Sequence, residues 1–113
     1  MTELHKLSIK EKLKGLKDST FSSQELTESY LKRIKKLDSK INSFITVLEE
    51  RAVKSAKEAD QRYASGSALP LDGIPIAHKD IFCTEGILTS CGSRMLSNFI
   101  SPYSSTVVKN FEG

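Results

Sequence analysis

Leu69–Glu85 reads LPLDGIPIAHKDIFCTE. It holds Pro70 and Pro75, two of the chain's three prolines, and Lys79, the one lysine between Arg62 and Arg94. Leu71-Asp-Gly supplies a turn. Ile74 to Phe82 is then so apolar that it predicts a strand buried on both faces. A charged side chain is seldom fully buried without a partner. Lys79 stands among Ile74, Pro75, Ile76, Ala77, Ile81 and Phe82, and the reading of the stretch turns on it.

Alternation in a strand places Pro75, Ala77, Lys79 and Ile81 on one face and Ile76, His78, Asp80 and Phe82 on the other. Asp80 then points away from Lys79 and does not neutralise it. A lysine amine ordinarily titrates near pH 10.4, and an apolar setting lowers that value by disfavouring the charged form. A neutral lysine can take the proton of a serine hydroxyl and activate it as a nucleophile. The competing reading puts Lys79 at a strand end, with its amine reaching water. His78 and Asp80 share a face and suggest a metal or general-base pair, but two residues without a third ligand do not make a metal site. Ser90, Ser93, Ser101, Ser104 and Ser105 are candidate hydroxyls, and their spacing singles out none of them. Neither a Gly-rich phosphate loop nor Gly-x-Ser-x-Gly occurs.

Upstream of this stretch the pattern is helical. Ser8-Ile-Lys-Glu11 and Ser22-Ser-Gln-Glu25 are capping boxes, in which the serine and glutamate each satisfy a backbone N–H of the first turn. The first predicts a short helix ending at Gly15 or just beyond, with Ile9, Leu13 and Leu16 on one side. The second opens a longer helix whose stripe is Leu26, Tyr30, Ile34, Leu37 and Ile41. Phe44–Leu48 is β-branched and aromatic and predicts a short strand or extended link. A third helix begins at Glu49 and buries Ala52, Ala56, Ala59 and Tyr63. Beyond Phe82, residues 84–93 read as a loop, Arg94 to Phe99 as a helical turn, and Ser104 as the cap of a last helix bearing Val107, Val108 and Phe111.

The 113 residues carry a net charge of +3. Residues 1–68 hold 14 Lys and Arg against 10 Asp and Glu, and residues 69–113 hold 3 against 4. The basic first half fits a solvated mixed-charge helical surface, or a module docking on RNA phosphates. No apolar run reaches the length of a membrane span, and no apolar leader opens the chain. Cys83 and Cys91 are expected as free thiols in a reducing compartment. One orphan strand and a last helix of little more than two turns suggest the front part of a larger domain. The alternative is a compact α+β domain with a frayed end.

Leu71-Asp-Gly-Ile-Pro-Ile-Ala-His-Lys-Asp-Ile-Phe, Thr84-Glu-Gly, Thr89-Ser-Cys-Gly-Ser and Thr106-Val-Val together resemble the amidase signature family. Within it, the Cys-Gly-Ser and Tyr-x-x-Thr-Val-Val segments favour the glutamine-hydrolysing A subunits of glutamyl-tRNA(Gln) amidotransferases. The resemblance implies an α/β fold: helices followed by the first buried strands of a mixed sheet covered by helices. Residues 1–68 would be the N-terminal helical region and 69–113 the start of the amidase core, together part of one domain. It implies a Ser–cis-Ser–Lys triad whose lysine matches Lys79, with both serines further along, in and near a Gly/Ser-rich segment that this sequence lacks. The family is often apolar at the position of His78.

The implied activity is that of a carbon–nitrogen ligase with glutamine as amido donor, in the bacterial cytoplasm or an organellar matrix. Ammonia from glutamine passes to a B subunit, which uses ATP and Mg to convert Glu-tRNA(Gln) to Gln-tRNA(Gln). A small C subunit braces the complex, and no cofactor or metal is expected on this chain. The present segment alone is expected to be inactive. Two other readings remain open: an amidase of small amides, and a non-catalytic basic helical module that binds RNA or protein.

Overall fold

Ser8 opens the first helix, α1 (Ile9–Lys17), through a complete capping box: its hydroxyl accepts from the Glu11 N–H at 3.2 Å, and the Glu11 carboxylate accepts from the Ser8 N–H at 2.8 Å. The computed structural model describes residues 4–112, beginning with a 3-10 turn at Leu4–Lys6. Gly15 lies inside α1, and the Phe21 ring occupies the space its side chain would need: a Cβ built there falls 2.3 Å from the ring.

Ser22 caps α2 (Ser23–Ile41) by accepting from the Glu25 N–H at 3.1 Å. The reciprocal bond of the expected box, from the Ser22 N–H to Glu25, is not formed, and two further N–H groups of the first turn, those of Ser23 and Gln24, donate to the Asp60 carboxylate. Leu26 is fully buried and joins Leu16 and Phe21 in a core against which Leu4, Leu7, Tyr30, Tyr63 and Ile74 pack. The predicted stripe holds at its start and fails at its end, where Ile41 is exposed. Asn42 stops the helix in the left-handed region, at φ 55°.

α3 (Glu49–Ser65) presents Ala56 and Ala59, buried as expected, and stops at Gly66, which takes φ 75°. Arg62 and Tyr63 at its C-terminal end hold the turn that follows. Arg62 donates to both Asp72 oxygens at 2.5 and 2.6 Å, and the Tyr63 hydroxyl donates to the Asp72 carbonyl at 2.7 Å. From α2, the Ser23 hydroxyl donates to the Gly73 carbonyl at 2.8 Å. Gly73 sits at φ 81°, with Leu16 and Ser23 3.2 Å from where a Cβ would be, so both backbone and space favour glycine there.

The chain divides into two compact units between Pro75 and Ile76. The second is built on small polar groups. Thr84, Thr89, Ser90, Ser101, Ser104 and Val108 are its buried residues. Residues 84–93, read from sequence as a loop, contain the pairing: Gly86 and Thr89 donate to the carbonyls of Ser101 and Phe99, and Leu88 and Ile100 form an antiparallel bridge. A 3-10 turn spans Arg94–Leu96. The last helix, α4 (Thr106–Glu112), starts from Ser105 rather than Ser104. The Ser105 hydroxyl accepts from Val108 and its carbonyl from Lys109, while the Ser104 hydroxyl accepts from Glu85 instead.

Two expected strands are absent among the described residues. Phe44–Leu48 is exposed and irregular, and Ile74–Phe82 runs without a ladder before turning at Asp80. A strand is held by a ladder of hydrogen bonds to a neighbour. Among the described residues Ile74–Phe82 receives a single backbone bond from another segment, the Cys91 N–H to the Asp80 carbonyl, and Phe44–Leu48 receives none apart from the opening bond of α3 at Leu48.

Candidate active site

Lys79 and Asp80 leave the chain at the turn that ends the Ile76–Lys79 run. The Phe82 N–H donates to the Lys79 carbonyl at 3.1 Å. Lys79 is exposed, and its amine makes no hydrogen bond or ion pair among the described residues. Ile76 and Ile81, both 51% exposed, stand near it in the chain. The apolar enclosure expected around Lys79 is therefore not formed by these residues, because the run that was to carry it as a strand pairs in no ladder among the described residues.

Asp80 is turned to the Ser90 loop. Its two carboxylate oxygens accept from the Ser90 N–H at 3.1 and 3.2 Å, and the Ser90 hydroxyl donates to one of them. The Cys91 N–H donates to the Asp80 carbonyl at 3.0 Å. The Ser90 hydroxyl, and then the loop's amides, hold the Asp80 carboxyl below the usual aspartate range. The loop is itself a tight turn: Cys91 and Gly92 take φ 53° and 71°, and the Ser93 N–H donates to the Ser90 carbonyl at 2.9 Å. Two successive positive φ values with that bond mark a type I′ turn.

The other serines are also engaged. The Ser93 hydroxyl accepts from Met95, the Ser101 hydroxyl donates to the Tyr103 carbonyl, and Ser104 and Ser105 accept from Glu85 and Val108. Each does local structural work. His78 packs edge-on to Phe111, with ring centroids 6.0 Å apart. No three His, Cys, Asp or Glu residues among those described could hold a metal. Cys83 and Cys91 are free thiols. No described helix is long and apolar enough to cross a membrane. Sequence reasoning places Asp80 away from Lys79 but misses its partner, since nothing in a ten-residue separation announces a loop folding back.

This chain belongs to the amidase family, whose profile matches residues 25–112. It is 58% identical over 112 residues to the A subunit of glutamyl-tRNA(Gln) amidotransferase from Psychrobacter cryohalolentis, covering 99% of this chain and 22% of that protein. It is 57% identical over 109 residues to the protein of that name from Acinetobacter baumannii, and 56% identical over 108 residues to that from Saccharophagus degradans. The chain thus spans about a fifth of the length of these relatives (22%). Among solved structures it is similar to a chain at TM-score 0.88 and 30% identity, covering 94% of this chain and 24% of that one. That structure is described as a vestigial protein complex revealing the evolutionary origins of an s-triazine catabolic enzyme.

Proposed function

We propose that this chain is part of the glutamine-hydrolysing A subunit of a glutamyl-tRNA(Gln) amidotransferase, with Lys79 as its general base. The observation that carries the reading is 58% identity across 99% of the chain to a protein of that name. In the reaction, water and glutamine give glutamate and ammonia. A serine hydroxyl attacks the amide carbonyl while its proton passes, through a bridging serine, to the Lys79 amine. The leaving ammonia takes a proton back, and water then releases glutamate from the acyl-serine. Neither serine is assigned among residues 1–113.

In the longer polypeptide, residues 69–113 begin the amidase core and residues 1–68 form its helical flank. The extended run before the turn at Asp80, Ile74–Lys79, takes its place there as a strand of the mixed sheet, giving Lys79 its apolar setting. The ammonia goes to the B subunit, where ATP and Mg serve activation of Glu-tRNA(Gln), and a C subunit braces the complex in the cytoplasm or an organellar matrix. No step on this chain runs through ATP or the metal.

The test is ammonia release from glutamine by the full-length protein in its complex, coupled to Gln-tRNA(Gln) formation. Hydrolysis of small amides without dependence on B and C subunits would favour a stand-alone amidase instead. The 113-residue chain by itself is expected to release no ammonia, and turnover by it would contradict the triad.

A further inference from the structure

The geometry points to Asp80 as a positioning residue for Lys79: its carboxylate, clamped by Ser90, fixes the turn from which the lysine side chain departs. The inference rests on Lys79 being the base. Both peptide units at Asp80 are held. The Lys79 carbonyl accepts from the Phe82 N–H, and the Asp80 carbonyl accepts from the Cys91 N–H. The carboxylate accepts the Ser90 N–H and hydroxyl, and the Ser90 oxygen in turn accepts from the Gly92 N–H at 3.3 Å. Ser90 is buried at the head of a tight turn, so the far end of the clamp is itself anchored.

Asp80 directs its carboxylate to Ser90, and the buried Ser90 hydroxyl, which also accepts from the Gly92 N–H, ties the loop to the turn at Asp80. What the clamp controls is where the Lys79 backbone lies. Catalytic groups must be held within roughly half an ångström of productive geometry, and a misplacement of about 1 Å can cost on the order of 100-fold in rate.

The test uses the full-length glutaminase containing this segment. Asp80→Asn keeps size and one acceptor oxygen, Ser90→Ala removes the hydroxyl but keeps the amide, and Ser90→Thr restores a hydroxyl. In Asp80→Asn and Ser90→Ala, kcat for glutamine hydrolysis is expected to fall roughly 10- to 100-fold, with KM within about twofold. Ser90→Thr should stay within about threefold of the parent, and the double variant should lose no more than the worse single, as expected for one coupled unit. A merely structural role would lower Tm and the fraction of active enzyme while leaving kcat per active site unchanged, and that result overturns the proposal. Losses that multiply in the double variant overturn it too. If Asp80→Asn does not fold, the Ser90→Ala and Ser90→Thr pair decides. Lys79→Ala in the same assay separates the two levels. An inactive Lys79→Ala beside a fully active Asp80→Asn overturns the clamp alone, whereas an active Lys79→Ala overturns the base and the clamp together.

Discussion

Asp60 on α3 caps the neighbouring helix α2, its carboxylate accepting from the Ser23 N–H at 2.6 Å and the Gln24 N–H at 3.1 Å. A helix N-terminus presents unpaired N–H groups and partial positive charge, so an acceptor anion there is favourable. Asp60→Ala should cost about 1–2 kcal/mol, in the range of lost N-caps. Asp60→Asn, which keeps one acceptor oxygen, should cost less. Denaturant unfolding of the two variants measures the difference, and equal costs would mean that the cap is not the reason.

Arg62 and Asp72 predict the acid limb of stability. The hydrogen bond from Arg62 is the main reason the Asp72 carboxyl lies below its ordinary range, and the Asp72 side chain is only 6% exposed. A carboxyl depressed by folding adds stability above its unfolded value, near pH 3.9, and loses it as pH falls through the folded value. Stability should therefore be level above about pH 5 and decline below about pH 4, with Asp80 contributing in the same sense. Asp72→Asn should be less stable at neutral pH and show a shallower acid decline. An unchanged slope in urea titrations from about pH 2 to 6 would rule out the pair as its source.

Gly15 sets helix propensity against packing. In an open helix, Gly→Ala adds about 1 kcal/mol of stability. Here the new methyl would collide with the Phe21 ring at 2.3 Å, and Phe21 is a buried member of the core. Gly15→Ala should be destabilising by roughly 1–3 kcal/mol, the usual cost of overpacking. Adding Phe21→Leu should recover part of that loss. A stabilised Gly15→Ala would show that the ring moves aside freely.

These contrasts explain what can be read from the chain alone. The starts of α1 and α2 are legible because a capping box and an apolar stripe are local, acting over three or four residues. The Gly66 stop of α3 is legible for the same reason. The apolar, extended character of Ile74–Phe82 is also legible, but a strand is a relation between two segments, and no ladder pairs this run among the described residues. The Ser105 cap and the 86–101 pairing escape because polar, small-residue segments carry no periodicity. Lys79 stands out because a lone lysine in an apolar run conflicts with its surroundings. The Asp80–Ser90 clamp does not, because hydrogen bonds between loops leave no spacing rule.

The role of Lys79 as the base of a glutaminase is checked by glutamine hydrolysis in the full-length complex with Lys79→Ala and Lys79→Arg, alongside binding of Glu-tRNA(Gln). General-base catalysis contributes about 10²–10⁴-fold, so ammonia release should fall at least about 100-fold in both variants. Arginine fails because it stays protonated. Binding of Glu-tRNA(Gln) should remain close to that of the parent. Ammonia release within a few-fold of the parent in Lys79→Ala would mean that Lys79 is not the base.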